Sequence, residues 1–241
     1  IYAGRRQEVD DALQQALSEA ASHRGTVFPV HVYSAPCFVY MHRGEMVLLD
    51  ETANQMLGLA QSQSHLEATA WALFFRGIAR YQRNDLTGAE RDFTSLRDLS
   101  YIAHPLAFSQ AHTALAATYQ AQGEYDKAYE TAVEGWELFE QSDYSVAAAR
   151  IEGMVAYLSF RQGRIDQAMH WVSRPLLVPI KSSLPFFVST VLGRVEVLLG
   201  LNTPKARGEA MELLGAFRTN VENLHADRFL IEVYALQAIL L

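Results

Sequence analysis

The residues able to carry chemistry are scattered along this chain. Eight histidines stand at 23, 31, 42, 65, 104, 112, 170 and 225, and no two form the His-x-x-x-His pair that puts two imidazoles on one helix face for zinc. Lone histidines of this kind are expected in solvent or loop roles. The single cysteine, Cys37, excludes an internal disulfide framework and a cysteine-rich zinc site. It reads as a buried structural thiol and fits a reducing, cytoplasmic compartment. Carboxylate pairs such as Asp10–Asp11 and Glu90/Asp92 fall where exposed helix faces are expected, whereas paired acid–base chemistry needs convergence in a cleft. No phosphate-cradling Gly-x-x-x-x-Gly-Lys-Ser/Thr loop is present, and no nucleophile motif. The expectation is a chain that is not an enzyme and holds neither cofactor nor metal in this segment.

The elements that carry these residues must then serve recognition. Of 241 residues, 50% are hydrophobic and 20% charged, enough apolar material for a sizeable core. Lys and Arg total 20 against 27 Asp and Glu, a net charge of −7 that argues against direct nucleic-acid contact by this segment. No apolar run reaches 18 residues, so no membrane contact is expected, and no secretory signal is visible. The chain starts at Ile1 and stops at Leu241 inside an apolar helical pattern that begins at Phe229. Both ends suggest a fragment of a larger protein.

A repeat organises the sequence. Arg43-Gly44-Glu45-Met46, Arg83-Asn84-Asp85-Leu86, Gln122-Gly123-Glu124-Tyr125 and Gln162-Gly163-Arg164-Ile165 align, with second residues 40, 39 and 40 positions apart. Each separates two apolar-periodic stretches, where a helix needs a left-handed residue to end; Gly is the usual occupant and Asn tolerates the conformation. Gly200 is the fifth candidate, 37 positions on. Small residues recur seven before the turn (Cys37, Gly77, Ala116, Ala156 and Gly193) and five after it (Ala89, Ala128 and Ala168, with Leu49 as the exception). Two helices approach closely only where side chains are small, so these offsets mark a crossing. The fold expected is all-α: a superhelix of about five stacked antiparallel helix hairpins, tetratricopeptide-like with a period near 40 residues, forming a single domain over 1–241.

The helices this implies are 30–43, 66–83, 105–122, 145–162 and 184–199 as first members, and 46–62, 86–99, 125–141, 165–173 and 204–223 as second members. A lone helix 6–22 opens the chain and 227–241 closes it. Thr203-Pro204 and Ser183 with Pro185 read as start signals, as does His104-Pro105. The first hairpin is the least regular. Val27–Tyr33 is rich in β-branched residues, and Pro36 should kink or shorten its first helix.

Stacked hairpins leave a groove lined by the first helices. Counting −13, −10, −6 and −3 from the turn, that face offers His31, Ser34, Phe38 and Met41, then Trp71, Phe74, Ile78 and Tyr81. Further along come Gln120, Arg150, Tyr157, Phe160 and Arg194, with Arg161 beside them. Aromatic planes with bidentate donors suit a sugar, a nucleotide-like ligand or a peptide. The same stripes also fit plain packing, and the arginines also fit solvated surface. Arg76 stands at an offset filled by Leu115, Val155 and Leu192 elsewhere. It either snorkels to water, the reading favoured on the length of its stem, or is paired in a partly buried site.

The segments Gly77–Phe93, Ala117–Ala128 and Arg228–Ala238 resemble the helical-repeat region of MalT-like regulators, the large ATP-binding LuxR-type bacterial transcription activators. The resemblance runs from about residue 40 to the end. It rests on the long period together with the Leu236-Gln237-Ala238 final helix. It implies a parent protein with an ATPase module upstream and a LuxR-type DNA-binding domain downstream, neither of them in this chain. The repeat region would be the sensor. It would bind a small-molecule inducer or a regulatory protein and couple that event to self-association of the parent. The alternative is a pure protein-interaction module of another signalling protein.

Overall fold

In a computed structural model of the chain, residues 6–22, 32–99, 105–176, 180 and 187–240 are described. Among these residues twelve α-helices are delimited, in order: α1 (Arg6–Ser22), α2 (Ser34–Arg43), α3 (Met46–Ser62), α4 (Leu66–Gln82), α5 (Leu86–Asp98), α6 (Pro105–Gln122), α7 (Tyr125–Glu140), α8 (Ser145–Arg161), α9 (Ile165–Val172), α10 (Thr190–Leu201), α11 (Pro204–Asn223) and α12 (Arg228–Leu240). No strand occurs among the described residues, and no helix there is long and apolar enough to cross a membrane.

The turns explain the repeat. Gly44, Asn84, Gly123 and Gly163 all take positive φ, at 78°, 63°, 83° and 78°. At each, the next residue's N–H reaches back five positions: Glu45 to Tyr40, Asp85 to Arg80 and Glu124 to Tyr119 at 2.9 Å, and Arg164 to Ser159 at 2.8 Å. This six-to-one bond satisfies a carbonyl that the helix end would otherwise orphan. The fifth turn differs from the expectation. Gly200 lies inside α10, and the left-handed residue is Asn202 at φ 49°. A Cβ on Gly200 would sit 1.9 Å from the Phe160 ring, so that glycine serves close helix packing. Asn202 follows Gly163 by 39 positions, which restores the period.

Chain packing divides into two compact units, one of residues 1–111 with 223–225, the other of 112–222 with 226–241. In the first, α3 packs on α2 and α4, α5 packs on α4, and the two first-type helices α2 and α4 touch. Its centre holds Met41, Leu49, Met56, Phe74, Phe75, Ile78, Phe93 and Leu96, all without solvent exposure. Burying each such side chain contributes about 1.5–3 kcal/mol. Gly77 marks a crossing: a Cβ there would lie 2.4 Å from the Phe93 ring. In the second unit, α8 packs on α7, α9 and α10, and α10 on α9 and α12. Ala116, Ala128, Ala156 and Ala168 are all buried, as the small-residue offsets require.

Helix starts follow local chemistry. α2 begins at Ser34, four residues later than expected, with Pro36 in its first turn where no N–H is needed. Its expected opening residues 30 and 31, His31 included, lie outside the described residues, as do most of Val27–Tyr33. The expected start of α10 near Ser183 and Pro185 also lies outside them; the helix begins at Thr190, where the Ser189 hydroxyl accepts from the Leu192 N–H at 3.4 Å. Thr203 caps α11 as expected, accepting from the Ala206 N–H at 3.2 Å.

Candidate functional site

Of the aromatic residues expected to line a groove, Phe38, Trp71 and Phe74 gather in the first unit, but as packing. Phe38 meets Trp71 and Phe75 edge-on, with centroids 5.5 and 4.9 Å apart. Trp71 stacks on Phe75 at 5.8 Å and meets Phe74 at 5.8 Å. Phe74 and Ile78 have no exposed surface and are corrected from groove to core, while Phe38, Trp71 and Tyr81 are half-buried. Phe75 completes the cluster although its offset gave it no role. Cys37 is buried, and burial pushes its thiol well above the ordinary range. His42 and His112 are buried as well, contrary to a solvent or loop role: the His42 ring bonds to the Phe38 carbonyl, and His112 lies under Gly135.

Arg76 does not snorkel. Its Nε and Nη2 donate to the two Asp92 oxygens at 2.9 and 2.6 Å, and its Nη1 donates to Asn54 Oδ1 at 3.0 Å. Arg80 adds a bond to Asp92 Oδ2 at 2.9 Å. Asp92, expected on an exposed face, is buried, its side chain only 4% exposed. A carboxylate between two forked donors is stable there because both oxygens are bonded.

The second unit contains a cavity of about 490 Å³. Trp136 and Phe139 from the end of α7 form one wall, and Ser145, Val146, Ala149, Arg150 and Glu152 from the first turns of α8 form another. Trp171, Arg174 and Pro175 close one side, and Thr190, Val191 and Arg194 of α10 the other. Gly153 lets these walls meet, since a Cβ there would lie 2.9 Å from Thr190 and 3.0 Å from Trp171. Among the described residues the lining holds arginines, glutamates and hydroxyls, with no His, Cys or Lys.

Arg194 was expected on a groove or solvated face and is instead 6% exposed. Its Nη1 donates to the Arg174 carbonyl at 2.7 Å and its Nη2 to the Val172 carbonyl, and Glu209 lies 3.5 Å away. Its guanidinium carbon is 5.7 Å from the centre of the Trp171 ring. Burial pulls the Arg150 guanidinium below its ordinary range, and does the same to Arg194 against the opposing effect of Glu209. Arg174 pairs with Glu152. Counted from Asn202, Arg194 occupies the position eight before the turn that Arg76 occupies before Asn84. Both cations thus reach a carboxylate on the following second-type helix.

The remaining candidates lie apart from the cavity. Tyr157 bonds to Glu196, with Arg161 near both; burial, the largest influence, raises the Glu196 carboxyl. Phe160 packs over Gly200. Gln120 is half-buried near the end of α6. Of the groove and arginine candidates, the structure therefore brings Arg150 and Arg194 to the cavity. Sequence reasoning missed Trp136, Trp171 and Arg174 because it followed first-type helices alone; a tryptophan on each of α7 and α9 was the available signal.

Comparison with known proteins agrees with this geometry. A tetratricopeptide repeat family matches residues 114–131, which span the α6–α7 turn at Gly123. The repeat is tetratricopeptide-like. The crystal structure of BtubC (BKLC) from P. vanneervenii is similar at a TM-score of 0.61 with 13% identity, over 95% of this chain and 89% of that one. This likeness is one of fold. No curated protein matches the chain. The fold is all-α and of tetratricopeptide type, a helical scaffold suited to protein binding.

Proposed function

We propose that residues 1–241 are the non-catalytic sensor and scaffold domain of a larger bacterial regulator of the ATP-dependent LuxR/MalT type. Its partner is a small-molecule inducer or a regulatory protein, and it acts in the cytoplasm. It needs no cofactor of its own and makes no direct contact with nucleic acid. Self-association takes place through the parent protein.

The observation that carries the sensor reading is the aromatic- and arginine-lined pocket in the second unit. A half-open pocket of this size falls in the range of small-molecule sites. A ligand held there shifts the parent between resting and assembled states to the extent that it binds one of them better. Calorimetry of the chain against oligosaccharides and anionic metabolites, followed by sedimentation of the ATP-loaded parent with and without the binder, tests it. A binder that changes parent assembly supports the sensor.

The alternative, a pure protein-interaction module, is favoured by one feature. α12 exposes Ile231 at 76%, Tyr234 at 47% and Ile239 at 62%. Silence across the metabolite panel, with capture of a protein that Ile231→Glu abolishes, would establish that reading instead.

A further inference from the structure

The two helices of a hairpin meet at fixed positions in this chain. In the first unit a Cβ on Gly77 would lie 2.4 Å from the Phe93 ring, and Arg76 and Arg80 both donate to Asp92. In the second unit a Cβ on Gly135 would lie 2.6 Å from His112, and Arg194 stands 3.5 Å from Glu209. Counted from the turns at Asn84, Gly123 and Asn202, a first-type helix faces its own second-type helix at −11, −8, −7 and −4, and the second-type helix answers between +7 and +12.

Two helices leave this face open. One period of 40 after the buried Val191, Arg194, Val195 and Leu198 stand Ile231, Tyr234, Ala235 and Ala238 of α12, all four exposed. One period of 40 before the buried Leu49, Thr52, Ala53 and Met56 stand Val9, Ala12, Leu13 and Ala16 of α1. Of these Leu13 is buried, Val9 and Ala16 are half-buried and Ala12 is exposed. Arg6 donates to Glu45 at 2.7 Å and Arg43 pairs with Asp10, which holds α1 in the second-type place beside α2. Among the described residues, then, α12 shows the face of a first-type helix whose second member is missing, and α1 the reverse.

The two stripes match in size. A small residue meets a large one where Gly77 faces Phe93 and Gly135 faces His112. The same register sets Ala235 against Leu13, Ile231 against Ala16 and Tyr234 against Ala12. We infer that the open face of α12 receives α1 of a second copy of this chain, completing a hairpin between two molecules. Neither stripe carries a charge, so burial of apolar area drives the contact. The two surfaces differ, so the association is head-to-tail and a dimer still presents one stripe of each kind to further copies. This goes beyond the ligand reading and makes no use of the cavity.

Sedimentation equilibrium of the 241-residue chain tests it. The average mass is expected to rise above the 27.0 kDa of one chain between about 10 µM and about 1 mM, the range of a small interface. Ile231→Glu and Ala12→Glu, both at exposed helix positions, should each hold the chain at one molecule with its thermal melt unchanged. An equimolar mixture of the two variants should associate again and stop at a dimer, because one supplies an intact α1 and the other an intact α12. A chain that stays monomeric throughout overturns the inference and leaves α12 to a helix of another protein or of the parent. Association that survives Ala12→Glu overturns it too, since α12 then meets something other than α1, and so does a mixture that stays monomeric. Neither variant touches the cavity, so the sensor reading stands or falls on its own calorimetry.

Discussion

Replacing Asp92 by alanine removes the acceptor shared by Arg76 and Arg80. Three charge-assisted bonds are lost, at 2.6, 2.9 and 2.9 Å. Breaking a buried ion pair from one side costs about 3–5 kcal/mol, because a charge is left without its counter-ion. The Arg76 and Arg80 side chains are 17% and 26% exposed, so both can swing partly into water, which lowers the expectation to about 2–4 kcal/mol. The second prediction in the same cycle is the more discriminating. Leu115 and Val155 occupy the Arg76 position in neighbouring hairpins and are buried there. An apolar pair is therefore compatible with this repeat, and Arg76→Leu with Asp92→Leu should cost less than the two single changes summed, by at least about 1 kcal/mol. Urea unfolding followed by Trp71 emission, with Trp136 and Trp171 changed to Phe, reports on the unit that holds the network. An Asp92→Ala variant within about 0.5 kcal/mol of the parent, or a strictly additive double variant, would refute the argument.

Three further outcomes follow from the geometry. Gly200→Ala drives a methyl into the Phe160 ring, 1.9 Å away if nothing moved, and should lower stability by about 1–3 kcal/mol; Phe160→Leu in the same chain should recover part of it in a thermal melt. Asn202→Ala should cost about 1–2 kcal/mol and Asn202→Gly nothing, because φ 49° suits Gly; equal losses in the two would show that the side chain, not the backbone, matters there. Burial raises the Glu196 carboxyl in the folded chain, so over the interval above the ordinary carboxylate range the folded state holds more proton than the unfolded one. Stability contributed by this group then falls as pH rises through that interval, and Glu196→Gln should flatten the slope of urea midpoint against pH; an unchanged slope would assign the effect elsewhere.

Much of the architecture was legible because turn chemistry is local. A left-handed residue every 39 or 40 positions fixes where hairpins fold back, and helix limits follow to within a residue for most elements. Gly200 misled for a physical reason. Glycine serves two ends, a left-handed turn or the near approach of another helix, and only the ring of Phe160 tells which. The candidate site was less legible. Groove offsets assume that every first-type helix presents one face outward, whereas Phe74 and Ile78 are core. The cavity depends on Gly153 admitting Trp171 and Thr190, contacts that no single helix pattern encodes. Asp92 looked exposed because its neighbours in sequence are polar; the two arginines that bury it come from α4.

Each of the four regular turns is closed by a bond from its own chain to a carbonyl only five residues earlier. Nothing distant is required to hold the reversal in place. A length of chain carrying one such reversal is thus a local building block that closes its own turn, while its apolar faces are buried against the neighbouring hairpins. The same autonomy governs inheritance. A duplication or deletion of one full block keeps every downstream helix in phase with its neighbours, whereas a change of a few residues within a block rotates the faces that must meet. Proteins built this way change length in whole steps of about forty residues.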